Sequence, residues 1–99
     1  MTNTSNVPGQ ETMIQLLTVL FPTSTIYLFG SRARGTHTDR SDVDIAIDLG
    51  RKMEFEEIAK ARGVLEGLNF PQKLDVVDMQ RVSASMKEFI LKDGVIWKK

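Results

Sequence analysis

The sequence predicts a small α/β (α+β) domain in which helices pack on a mixed sheet of three strands. Three apolar runs of strand length alternate with stretches whose apolar residues recur every three or four positions, as on one face of a helix. A chain of 99 residues with 41% hydrophobic content builds one core and buries roughly two thirds of its unfolded surface. We therefore expect residues 1–8 to form a flexible tail and residues 9–99 to form a single domain.

The first half of this domain is predicted as helix, strand, short helix and strand. A helix over about residues 10–20 has four inward positions: Met13, Leu16, Leu17 and Leu20. After Phe21 and Pro22, the run TIYLFG is β-branched and aromatic, which is typical of a buried strand. The polar residues 31–41 are predicted to form a short helix and a loop. The period of two in DVDIAIDL then predicts a second strand, apolar on one face only.

The second half is predicted as a helix from Glu54 to about Leu68, a strand in KLDVVDM and a helix over residues 83–92. The inward positions of these helices are Phe55, Ile58, Leu65 and Leu68, then Met86, Phe89 and Ile90. The terminal VIWKK is expected to cover an open sheet edge or to contact a partner. Only about a dozen residues join the first two strands, so antiparallel and parallel pairing are equally plausible. The antiparallel pairing would place Gly30 beside Asp42 and Asp44.

Composition excludes several classes of function. Thirteen basic and thirteen acidic residues give the chain no overall field for polyanions, so general nucleic-acid binding is not expected. The absence of cysteine excludes disulfides, thiolate zinc sites and cysteine nucleophiles. The polar start MTNTSNVPGQ has neither the basic start nor the apolar core that are typical of a signal peptide, and no apolar stretch is long enough to span a membrane. We therefore expect a cytoplasmic protein without membrane association.

Two aspartates on the second strand are the first candidate for chemistry. Asp42 and Asp44 lie two positions apart, so their carboxylates project from the same face. Such a pair of like charges is costly unless a cation lies between them. Oxygen ligands alone suit Mg²⁺ or Mn²⁺. On its own, however, Asp-x-Asp is a common chance pattern.

A turn and a third carboxylate complete the candidate site. Gly30 and Ser31 follow an apolar strand and can open a helix, where backbone amides and a hydroxyl receive phosphate oxygens; the alternative is an ordinary turn in which Ser31 caps the helix. On the third strand, Asp75 and Asp78 lie on opposite faces because their separation is odd. We favour Asp75 as the third metal ligand, because a carboxylate in mid-strand needs a partner.

The segment LFGSRARGTHTDRSDVDIAI resembles the signature of the DNA polymerase β-like nucleotidyltransferases, in which Gly-Ser, ten residues and Asp-x-Asp follow one another. It is most similar to the minimal nucleotidyltransferase (MNT) branch. The resemblance implies the nucleotidyltransferase fold. It also implies that Gly30 and Ser31 contact the triphosphate and that the metal ligands are Asp42, Asp44 and Asp75.

Two arginines and Asp75 have further candidate roles. Asp75 is also a candidate general base. Arg34 is a candidate for binding the nucleotide, although arginines at such turns also pair with aspartates to hold a loop, and we favour that role for Arg32.

The resemblance also implies an activity and a partner. Proteins of this kind transfer a nucleoside monophosphate, often AMP from ATP, to a hydroxyl, and many are antitoxins of HEPN-domain ribonuclease toxins. We expect Mg²⁺-dependent adenylylation of a partner HEPN toxin, with ATP or another nucleoside triphosphate as the donor. The alternative is a non-catalytic antitoxin that neutralises the toxin by complex formation alone. The sequence leaves the oligomeric state open.

Overall fold

The computed structural model describes residues 7–99, which form four helices and four strands. In chain order these are α1 (Gln10–Leu20), β1 (Thr25–Phe29), α2 (Ser31–Arg34), β2 (Val43–Asp48), α3 (Phe55–Glu66), β3 (Leu74–Asp78), α4 (Ala84–Asp93) and β4 (Val95–Lys98). The predicted elements over residues 10–92 are all present, with ends that differ by one or two residues. None of the helices in the described range is both long and apolar enough to cross a membrane.

The sheet has four strands in the order β3-β2-β1-β4, so the prediction of three strands was wrong. β1 pairs antiparallel with both β2 and β4, whereas β2 pairs parallel with β3. The sheet is therefore mixed, as predicted, and the pairing of β1 with β2, which the sequence left open, is antiparallel.

The extra strand is the terminal segment β4, which covers the free edge of β1. Trp97 is buried in it, and the Lys98 ammonium donates hydrogen bonds to the carbonyl oxygens of Pro22 and Ser24.

Both faces of the sheet carry a core. The larger core includes Ile26, Leu28, Ile45 and Ile47 from the two central strands, with Met13 and Leu17 of α1 packed on them. The smaller core on the other face consists of Phe29, Ala46, Met79 and Ile90. β2 has the predicted alternation, with Asp44 and Asp48 on the face opposite Ile45 and Ile47, and Ala46 on the acidic face is itself fully buried beneath α4.

Several apolar helix residues that were predicted to face inward are exposed. Phe55 is 83% exposed, because α3 begins at a capping box formed by Glu54 and Glu57, and the preceding Met53 enters the core instead. On α4, Ile90 is fully buried while Phe89 remains 39% exposed. Ile90 is the one residue of α4 that is buried, and it is the member of that helix in the smaller core. Leu68 and Met86 are likewise partly exposed.

The predicted N-terminal tail overlaps the described range only at its end. Residues 1–6 lie outside the described residues. Val7 is 5% exposed and belongs to the larger core. Its carbonyl oxygen accepts a hydrogen bond from the Gln10 amide at 3.0 Å, and its own amide donates to Gln10 Oε1 at 3.2 Å. Val7 thus anchors the chain immediately before α1.

Candidate active site

The turn between β1 and α2 depends on a glycine. Gly30 has φ 78° and ψ −157°, a backbone conformation that is essentially restricted to glycine. A Cβ at this position would overlap Asp44 Oδ2 on the neighbouring strand. The Gly30 carbonyl oxygen accepts hydrogen bonds from the amides of Ala33 and Arg34 at 3.1 and 3.2 Å. The glycine therefore allows the chain to turn into α2 while its backbone lies against the Asp44 carboxylate.

Ser31 is the first residue of the short helix α2 and is not its cap. Gly30 occupies the N-cap position, and no side chain caps this helix. The Ser31 side chain is partly buried, and its hydroxyl has no hydrogen-bond partner within residues 7–99. The capping alternative for Ser31 is thus excluded by geometry, and the hydroxyl is available to a ligand at the turn.

Asp44 lies at the centre of the candidate site. It is directly opposite Phe29 of β1 on one side and Asp75 of β3 on the other. Residues that pair across neighbouring strands project from the same face, so the two carboxylates share a face. Asp42 lies just before β2 and is exposed. The antiparallel pairing of β1 with β2 therefore brings the Gly30 turn to these acidic residues.

Electrostatic effects show that these charges are close to one another. Burial raises the pKa of Asp44 above its ordinary value, and the negative charges of Asp75 and Asp42 raise it further. The positive charge of Arg34 acts in the opposite direction. Within residues 7–99, however, no three acidic or histidine side chains are gathered tightly enough to form a ready-made metal centre. The carboxylates repel one another along the end of the sheet, which is the environment that a divalent cation would relieve.

Asp75 and Asp78 have different environments, as expected from their odd separation. Asp75 is exposed on the face that it shares with Asp44. Asp78 is 3% exposed, accepts hydrogen bonds from the amides of Met53 at 2.6 Å and Gln80 at 3.0 Å, and pairs with Arg81 at 3.4 Å. The buried Asp78 therefore joins β3 to the start of α3, while Asp75 is left accessible at the candidate site.

The two arginines of α2 also have different environments. Arg32 is 6% exposed and donates hydrogen bonds to the carbonyl oxygens of Thr38, Asp39 and Ser41. It holds the loop that leads to Asp42, as favoured from the sequence, although its partners are backbone carbonyls and not aspartate side chains.

Arg34 is exposed, and its guanidinium lies over the ring of Phe89, 5.3 Å from the centroid. Sequence reasoning assigned Phe89 to the core and missed this contact, which depends on how α4 is placed beside α2.

Comparisons with known proteins agree on one family. The family model described as Polymerase beta, Nucleotidyltransferase matches residues 11–99. A curated relative from Haemophilus influenzae, named Probable protein adenylyltransferase MntA, is 28% identical over 81 residues, which are 82% of this chain and 71% of the relative.

Solved structures are similar as well. A toxin–antitoxin crystal structure with AMP-PNP is matched at a TM-score of 0.76 and 26% identity over 89% of this chain and 71% of the matched chain. A complex of a tri-AMPylated Shewanella oneidensis HEPN toxin with an MNT antitoxin is matched at a TM-score of 0.70 and 22% identity, over 91% of this chain and 69% of the other. The second similarity shows the shared fold.

Proposed function

The chain belongs to the Polymerase beta nucleotidyltransferase family, and we propose on that basis that it transfers AMP from ATP to a hydroxyl of a partner toxin and so acts as an antitoxin. The observation that carries this proposal is the contact between the Gly30 turn and Asp44, which itself lies opposite Asp75. A phosphate-binding turn and acidic side chains meet at one end of the sheet. Because ATP is the donor, the proposed site of action is the cytoplasm.

In this proposal the turn binds the triphosphate. The Ser31 hydroxyl is free to donate to a phosphate oxygen, and the glycine before it lets the ligand approach the backbone closely. Arg34 contributes positive charge beside the acidic cluster. Its guanidinium can form paired hydrogen bonds to phosphate oxygens. These groups orient the α-phosphate toward the acceptor.

The acidic residues fit a divalent cation such as Mg²⁺ or Mn²⁺. Asp42, Asp44 and Asp75 offer only oxygen ligands. The pKa of Asp44 is raised by burial and then by the charges of Asp75 and Asp42, and a bound cation would offset both effects. Such an ion, when bound, neutralises phosphate charge and favours deprotonation of the attacking hydroxyl. We assign these three residues as the ligands of the metal.

Asp75 is further assigned as the general base. It lies on β3, which is an edge strand of the sheet, and its side chain is exposed. An acceptor hydroxyl can therefore approach it from solvent. The hydroxyl oxygen forms a bond to the α-phosphorus, the bond to pyrophosphate breaks, and the hydroxyl proton passes to the Asp75 carboxylate.

The partner in this proposal is a toxin of the HEPN type. The curated relative is named as a protein adenylyltransferase, and a structure at 26% identity is a toxin–antitoxin with AMP-PNP. Both support an adenine nucleotide as the donor and a protein as the acceptor. A HEPN toxin is also the partner that the sequence resemblance implies.

The test uses the chain together with its toxin. ATP labelled at the α-phosphate is incubated with the pair and Mg²⁺, and label on the toxin is measured for the wild type and for the double variant Asp42→Ala/Asp44→Ala. We expect labelling by the wild type and none by the double variant, although the variant still binds the toxin. Labelling by the double variant would refute the assignment.

Growth in the presence of the toxin separates catalysis from simple binding. A double variant that binds the toxin but no longer neutralises it supports adenylylation as the mechanism. A double variant that binds the toxin and still neutralises it would instead establish the non-catalytic alternative, in which the complex alone blocks the toxin.

A further inference from the structure

We infer that Phe89 is a positioning residue that holds the Arg34 guanidinium beside the nucleotide site with its N–H groups free for phosphate. The inference deepens the proposed function and rests on it. Phe89 lies on α4, outside the Gly-Ser and Asp-x-Asp segments. It would act through Arg34 and not by touching the reacting atoms.

The position of Arg34 needs an explanation. Its guanidinium is close enough to Asp44 to counteract the charge of that carboxylate. Nevertheless, within residues 7–99 it forms neither an ion pair nor a side-chain hydrogen bond, and it lies over the ring of Phe89 at 5.3 Å. An exposed ion pair contributes little to stability, so a contact with an aromatic ring of similar strength can compete with it. The aromatic ring offers a competing attraction that keeps it apart.

Contact with a ring suits an arginine that must later bind phosphate. The attraction between a cation and the face of an aromatic ring uses none of the five guanidinium N–H groups. If Arg34 were paired with Asp44, some of its N–H groups would bind that carboxylate. The pairing would also neutralise a negative charge that the metal requires. By this argument Phe89 keeps Arg34 available to the nucleotide and keeps Asp44 available to the cation.

The burial of α4 supports a role for Phe89 beyond packing. Ile90 is fully buried and attaches the helix to the smaller core, whereas Phe89 is 39% exposed. Met86 is 40% exposed on the same helix, and its side chain has no aromatic ring with which a cation could form a cation–π contact. Replacement of Phe89 therefore spares the anchor of the helix, and replacement of Met86 is a matched control.

The test is a double-mutant cycle on the full chain with its toxin. The KM for ATP and kcat are measured for the wild type, Phe89→Leu, Arg34→Gln and the combined variant, with Phe89→Tyr and Met86→Leu alongside. We expect Phe89→Leu to raise the KM about two- to five-fold, the range of one exposed cation–π contact, with little change in kcat. We expect Phe89→Tyr to retain the wild-type KM and Met86→Leu to change nothing.

The cycle decides between positioning and general packing. Phe89→Leu should have no further effect in the Arg34→Gln background if it acts through that arginine. An equal increase in KM in both backgrounds, or no increase in the wild-type background, would overturn the inference.

A second measurement does not depend on transfer. The Arg34 side-chain Nε–H resonance is followed by NMR without nucleotide, and its order parameter should fall in Phe89→Leu but not in Met86→Leu. An unchanged order parameter would refute the positioning role even if transfer is normal. Absence of transfer by the wild type would instead refute the proposed function, and the phosphate-binding role of Arg34 with it.

Discussion

Asp44 and Asp75 lie directly opposite each other on the parallel strands β2 and β3, with both carboxylates on the same face of the sheet. Burial raises the pKa of Asp44 above its ordinary value, and the negative charge of Asp75 opposite it raises that pKa further. Two like charges at paired positions destabilise a sheet. Their presence at the end of the sheet that also contains the Gly30 turn therefore does not favour folding, and it supports the proposed binding of a cation there.

Replacement of Asp75 and of Asp78 by asparagine is predicted to have different effects. The first should abolish transfer, and the second should lower the free energy of unfolding. Asp75→Asn should abolish transfer and change the free energy of unfolding by less than about 0.5 kcal/mol, because the side chain is exposed. Asp78→Asn should cost about 1–3 kcal/mol, because a buried carboxylate loses partners in Met53, Gln80 and Arg81. Urea unfolding and the labelling assay measure the two effects. Equal loss of stability in both variants would contradict the proposed division of roles.

Asp44→Asn is predicted to stabilise the domain at neutral pH while it abolishes transfer. The pKa of Asp44 is raised above 3.8 in the folded state, so the folded protein binds its proton more tightly than the unfolded chain does. The contribution of the Asp44 carboxyl to the free energy of unfolding therefore falls as the pH rises through its pKa in the folded state. This loss of stability persists at neutral pH. Thermal unfolding should show a Tm above that of the wild type at pH 7. The difference should disappear below about pH 3.8, and a lower Tm at pH 7 would contradict the argument.

The face on which the candidate carboxylates lie could be predicted from the sequence, because it follows from the geometry of a strand. Alternation in β2 separates Asp44 from Val43 and Ile45, and the odd separation of Asp75 and Asp78 places these two on opposite sides. Both relations depend only on the spacing of residues within a strand. No knowledge of the tertiary structure was needed.

Relations between distant segments could not be predicted in this way. The four residues of β4 are too few to show a period, and the strand exists because the edge of β1 accepts it. The antiparallel pairing of β1 with β2, which brings Gly30 to Asp44, was one of two possibilities. The contact of Arg34 with Phe89 depends on the placement of α4, and the helical pattern alone assigned that ring to the core.

Gly30→Ala is predicted to be more damaging than Gly50→Ala, although both glycines have a positive φ. Gly50 has φ 76° and open space around its missing Cβ, so alanine there costs only the backbone strain, about 1–2 kcal/mol. At Gly30, with φ 78°, the added methyl also overlaps the Asp44 carboxylate. Overpacking adds about 1–3 kcal/mol. Transfer should be lost only in Gly30→Ala, and equal unfolding free energies for the two variants would show that the contact with Asp44 is unimportant.

Arg32→Met is predicted to loosen the loop that leads to Asp42, one of the proposed metal ligands, whereas Arg40→Met should be neutral. Arg32 is buried and its guanidinium donates to three backbone carbonyls of the loop, so its loss should cost about 1–3 kcal/mol. Arg40 is exposed in the same loop, and its replacement removes the same charge without those bonds. Because the loop ends at Asp42, amide hydrogen exchange over residues 36–42 should accelerate in Arg32→Met, and transfer should fall with it. If exchange accelerates equally in both variants, loss of charge is the cause and the hydrogen bonds are not.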